Sequence, residues 1–276
     1  MAMSIRPGFS ENVPYTFTQG ITMKKMIPFL ALVSFSAVGI VTDNTIKPIV
    51  LMALKKDSSQ YISICKAAGK DCKPGAAIWK KKSNDNYYLV SPGLQFVEIR
   101  KDKNGNGYSK INSWDFSDEV NSGKVPDRII YDDLMMEKKY IYPALYPLGD
   151  KIIAVALVST WSTSYSGGGR EEEYADFMMI NDDGSYRPAF ENVLFSSKDR
   201  VSACFSEDDY ARNSHCHDEN WSVLHLNITD RGVGKFYSWK FITKSYNWPA
   251  FKDKASIQVK TTETVAVPFE LEFLEI

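Results

Sequence analysis

The sequence predicts a mainly β fold, an antiparallel β sandwich or a β-rich α+β domain, stapled by disulfides. Three observations carry this. The 276 residues include 15 Tyr, 15 Phe and 6 Trp, side chains that suit a pleated, half-buried surface. Short apolar or alternating runs recur between turn signals, with no long helical period. Four cysteines fall in two close pairs, Cys65 with Cys72 and Cys204 with Cys216, as in a disulfide framework.

In chain order, residues 1–22 are polar with Pro7, Gly8 and Pro14 and read as an upstream extension of doubtful status. Residues 23–42 read as a signal peptide or N-terminal anchor. Lys24 and Lys25 precede an apolar run, 26–41, that exits through Ala37-Val38-Gly39. The run falls short of the about 20 apolar residues that cross a bilayer comfortably. Met23 is expected to be the true start, and contact with a membrane is expected only through an uncleaved N-terminal segment. No cysteine precedes Cys65, so a lipid-anchored form is not expected.

Strands are expected at 46–54, 60–66, 76–80, 86–91, 94–101 and 107–116, with Pro92-Gly93 as a turn. This β-rich basic half, 43–116, holds 13 basic and 7 acidic side chains, a balance of +6. Residues 117–127 (SDEVNSGKVPD) are a candidate linker, and 128–140 fits a short helix. The acidic half, 128–276, is also β-rich; residues 117–276 carry 17 basic and 26 acidic side chains, a balance of −9. The two halves are compatible with one domain.

Residues 151–161 (KIIAVALVSTW) are nearly all apolar, as in a central strand buried on both faces. A polar loop is expected at 162–173 (STSYSGGGREEE), then a strand at 174–180. Asp183-Gly184 turns into 186–195. Residues 221–229 alternate, with Val223, His225 and Asn227 on one side and Leu224, Leu226 and Ile228 on the other. Asp230-Arg231-Gly232 leads to 235–243, and 255–262 with 264–272 read as a terminal hairpin.

Export settles how the cysteines read. In an oxidising compartment two local disulfides, Cys65–Cys72 and Cys204–Cys216, are the favoured pairing. The formal charge of −1 argues against a nucleic-acid partner, since such domains are clearly basic.

Two clusters carry weak metal signals. His215, His217 and His225 could furnish three imidazoles of a zinc site, if His225 joins from a neighbouring strand. Asp102, Asn104 and Asn106, followed by Gly107, match the first half of a calcium loop, but Ser113 stands where the bidentate Glu belongs. A β-hairpin turn explains the same residues. No cofactor is expected beyond these zinc or calcium alternatives. SYSGGG at 164–169 lacks the features of a nucleophile elbow or a phosphate loop.

The function expected is an exported, non-enzymatic binding protein, periplasmic or secreted, with the general profile of an inhibitor or immunity protein. Its partner is expected to be a protein, a toxin or enzyme, with a basic surface. The expected contact residues are Arg170, Glu171, Glu172 and Glu173 in the polar loop, and Glu207, Asp208 and Asp209 in the polar segment 206–220. The alternative is an envelope metallohydrolase on the three histidines.

Overall fold

A computed structural model describes residues 45–105, 107–120, 134–270 and 274–275. The expected upstream extension (1–22) and export segment (23–42) lie outside these residues, as does 121–133. Residues 43–276 form one compact unit.

Among the described residues the strands make two antiparallel sheets. The smaller has the order β3 (Met52–Ala53), β4 (Ala77–Lys80), β5 (Asn86–Ser91), β6 (Gln95–Lys101) and β7 (Tyr108–Asp115). The larger runs from β2 (Ile49–Val50) through β8 (Met135–Gly149), β9 (Ile152–Tyr165), β10 (Gly168–Ile180), β11 (Tyr186–Ser202), β12 (His217–Thr229), β13 (Ser238–Trp248) and β14 (Gln258–Ala266) to β15 (Leu274–Glu275). β1 (Thr45–Ile46) pairs with β12.

The expected strand at 46–54 is thus three two-residue strands. Each serves a different neighbour: β1 joins β12, β2 joins β8 and β3 joins β4. The expected strand at 60–66 is instead the helix α1 (Ser59–Ala68). Ser58 caps it by accepting from the Tyr61 amide at 3.2 Å, and Gly69 ends it at φ +59°. Tyr61, Ile64, Cys65 and Ala68 recur at helical spacing and pack on Ile78, Leu89 and Ile99 of the small sheet. The run looked extended because Ile62 and Ile64 sit two apart, yet Ile62 faces solvent.

The other face of the small sheet, with Tyr88, Phe96 and Trp114, packs on Ile141, Leu145, Val155 and Leu157 of the large sheet. Ala154, Ala156 and Val158 point the opposite way, into a second core with Tyr146, Phe177, Phe190, Trp239 and Phe241. β9 is buried on both faces, which explains its continuous apolar run.

The large sheet curls around that second core. The Tyr237 amide donates to the Leu148 carbonyl at 2.7 Å, and Trp239 Nε1 donates to the Pro147 carbonyl at 3.1 Å. These bonds tie the start of β13 to the end of β8. A Cβ at Gly149 would stand 2.4 Å from the Lys235 carbonyl oxygen, so the closure needs glycine there.

β8 and β11 are 15 and 17 residues long, against the usual about 5–6. The inner half of β8 is apolar and largely buried, and β11 sends Ala189 and Phe190 into the core. The outer halves of β9, β10 and β11 are polar and run on past the core. The expected loop at 162–173 is therefore strand: residues 168–173 pair with 165–160 of β9 and with 201–196 of β11, leaving only Ser166-Gly167 as the turn. Polar composition here belongs to paired strand, not irregular backbone.

Two further expectations shift. From Leu134 onward the expected short helix at 128–140 is extended chain entering β8; of the linker candidate, Ser117–Val120 form a 3₁₀ turn. The terminal hairpin is β14 with β15, since 258–266 is one unbroken strand through Thr262 and Glu263. The two disulfides, Cys65–Cys72 and Cys204–Cys216, are both closed, each with Cα atoms 5.2 Å apart. They point to an oxidising compartment. No helix among the described residues is long and apolar enough to cross a membrane.

Candidate binding groove

The outer half of the large sheet lines up side chains in cross-strand rows, because directly paired residues share a face. One row reads Ser162, Glu171, Lys198, Trp221, Tyr246 and Val259, one residue from each strand from β9 to β14. Beside it run Arg200, Glu219 and Trp248, and on the other flank Glu173, Ser196, Val223 and Lys244.

Trp221 and Tyr246 stack with ring centroids 4.9 Å apart and planes 4° from parallel. A groove of about 540 Å³ opens on the Trp221 side, bounded by Glu171, Lys198, Glu219, Trp248 and Lys254, with Val223 and Ile257 in its wall; Tyr246 and Val259 line an adjoining one of about 430 Å³, which Trp221 shares. Val223 and Val259 are 41% and 56% exposed, so an apolar strip stays open to solvent. Glu171, Lys198 and Lys254 join no ion pair among the described residues.

Trp248 is held rigidly. It stacks on His215, centroids 3.6 Å apart and planes 7° from parallel. Its Nε1 donates to the Lys252 carbonyl at 3.0 Å. The Phe251 amide donates to the His215 carbonyl at 2.9 Å, and the Ala250 amide to Asp218 Oδ1 at 2.8 Å. The Cys204–Cys216 bridge closes the segment that carries His215. The wall is fixed before any ligand arrives, which lowers the ordering cost of binding.

Of the expected contact residues, few stand open. Glu172 is buried: it accepts from Arg170 Nε at 3.0 Å and from the Tyr174 hydroxyl at 2.6 Å. Arg170 is engaged with it in an ion pair. Glu173 is half-buried and accepts from the Tyr140 hydroxyl at 2.9 Å and Ser196 Oγ at 2.8 Å. Burial and the nearby Glu173 charge push the Tyr140 phenol well above its ordinary range. Only Glu171 of this set is exposed. In the segment 206–220, Glu207 and Asp208 are exposed but Asp209 is spent on structure. It caps α2 (Glu207–Arg212), accepting from the Phe205 and Ser206 amides at 3.1 Å, and these bonds hold its carboxyl below the usual range.

The three histidines do not converge. His217 and His225 lie on one strand, β12, eight positions apart, about 27 Å at the usual rise. His225 faces solvent and His215 is buried on Trp248. The neighbouring-strand geometry expected for a zinc triad fails because the alternating run extends back to His217. No cluster of three or more His, Cys, Asp or Glu in metal-holding array occurs among the described residues.

The calcium-loop match is a hairpin turn between β6 and β7. The Asp102 amide donates to the Gly107 carbonyl at 2.9 Å and the Gly105 amide to the Asp102 carbonyl at 2.8 Å. Asp102 Oδ1 accepts from Ser109 Oγ at 2.5 Å. Asn104 lies in the turn and Asn106 lies outside the described residues.

Lys198, Tyr246 and Trp248 were not singled out by the sequence. Each sits in a half-polar strand, and only the register between strands brings them beside Trp221. Neither a protein-family model, nor a curated protein, nor a solved structure matches this chain, so function rests on the site itself.

Proposed function

We propose that this is an exported, non-enzymatic binding protein of the inhibitor or immunity-protein type, periplasmic or secreted, that docks a partner protein on the outer half of its large sheet. The observation that carries the reading is the open row Lys198–Trp221–Tyr246–Val259 beside the immobilised Trp248. Tryptophan and tyrosine in a preformed groove supply contact area at low entropic cost and dominate many interfaces.

Closed disulfides support export. The exposed carboxylates Glu171, Glu207 and Asp208 favour a basic patch on the partner opposite them, with charge complementarity raising the on-rate. The expected acidic loop thus contributes one carboxylate from a strand rather than three from a flexible tip.

The test is a comparison of proteins captured from native extract by wild-type chain, Trp221→Ala and Glu171→Lys. A specific partner held by the wild type and lost from Trp221→Ala supports the reading. Identical captures by all three, or none by the wild type, overturn it.

A further inference from the structure

We propose that β14 is an acceptor edge, and that the partner engages it with an extended strand alternating apolar and acidic side chains. This rests on the reading of the groove as a docking face and specifies how that face is used.

Gln258–Thr262 are five consecutive exposed residues. β13 pairs with them on one side, while on the other, among the described residues, β15 pairs with Thr264 and Val265. Their outward backbone amides and carbonyls have no partner among the described residues. Such an edge is a ready template for strand addition.

The side chains on this edge dictate what fits. Val259 continues the Trp221–Tyr246 row and is 56% exposed. An incoming residue beside it on that face completes an apolar row if it is itself apolar. Lys260, the next residue, points to the opposite face and is exposed. It forms no ion pair among the described residues, so the neighbour beside it is best acidic. The pattern recognised is therefore apolar toward the groove and acidic away from it.

A second copy of this chain fits worse. Antiparallel self-pairing centred on Lys260 sets two ammonium groups face to face. Centred on Thr261, it sets Val259 against Glu263, whose carboxylate already accepts from Lys240 at 2.9 Å.

The probe is a labelled synthetic peptide of alternating valine and glutamate, titrated against the full chain by fluorescence anisotropy. Amide exchange of β14 is followed by NMR. The expected result is saturable binding, new protection confined to the 258–262 amides, and about tenfold weaker binding of the peptide with lysine for glutamate. Lys260→Glu should reverse that preference. The same peptide with alternate backbone amides N-methylated should not bind, a control that leaves the protein untouched. Equal binding of the lysine peptide, binding that survives N-methylation, or protection elsewhere overturns strand addition, and dimerisation of the chain through this edge overturns the partner strand as its occupant. A partner lost on Trp221→Ala while the peptide leaves β14 unprotected would retain the docking groove and remove this mode alone.

Discussion

Glu172 is fully enclosed beside the Arg170 guanidinium, two residues away on the same strand face, with the carboxylate 1% exposed and the guanidinium 21%. A sequence of three glutamates thus hides one charge, ties a second to Tyr140 and Ser196, and exposes only the third. Removing the cation leaves a carboxylate in a site that water reaches poorly. Arg170→Ala should cost about 2–4 kcal/mol, read as a lower urea midpoint. Glu171→Ala should stay within about 0.5 kcal/mol. Equal effects from both would show that the buried pair does not hold this half of the sheet.

Trp239 locks the curl of the large sheet. It is fully buried among Tyr146, Phe177, Phe190 and Phe241, and its Nε1 reaches back to the Pro147 carbonyl. Trp239→Ala should destabilise by about 3–5 kcal/mol through lost burial and cavity. Trp239→Phe should keep most of the packing and lose chiefly the hydrogen bond, about 1–2 kcal/mol. Near-wild-type stability of the alanine variant would mean that the sheet closes without it.

The β class, both disulfides and the buried central strand were legible because each rests on local signals: aromatic content, cysteine spacing, and the apolar run that ends at Trp161. What misled was composition taken as conformation. The polar stretch 162–173 reads as loop because strand propensity is weak where both neighbours are also polar and solvated, and only pairing with β9 and β11 keeps it extended. The helix α1 was missed for the converse reason, since β-branched Ile62 and Ile64 outweigh a Ser58 cap in a short window. The groove was out of reach altogether. Trp221 meets Lys198 and Tyr246 through the register between three successive strands, which no single segment encodes.

Reduction should destabilise the chain. Cys65–Cys72 clamps the end of α1 and Cys204–Cys216 closes the segment holding α2, with separations of 7 and 12 residues. In the chain-entropy account each constrains the unfolded ensemble by about 2.5–3 kcal/mol. For a chain of this size the pair should raise Tm by roughly 10–15 °C. Scanning calorimetry with and without reductant measures this, and four free thiols in denatured, unreduced protein would sink it.

Acid should weaken the structure through His217. Its imidazole is held below the ordinary value, first by burial and then by the Arg200 guanidinium, which approaches Nε2 at 2.8 Å; Glu219 opposes the effect. The folded chain therefore resists a proton that the unfolded chain accepts near its ordinary value of about 6.5. The stabilisation is complete above that value, falls as pH drops below it, and stops falling once the folded-state value is passed. His217→Gln has no proton to gain there. Urea unfolding between about pH 7.5 and about pH 5 should show the wild type losing more stability than the variant. Parallel losses in the two proteins would assign the acid sensitivity to the carboxylates instead and detach His217 from it.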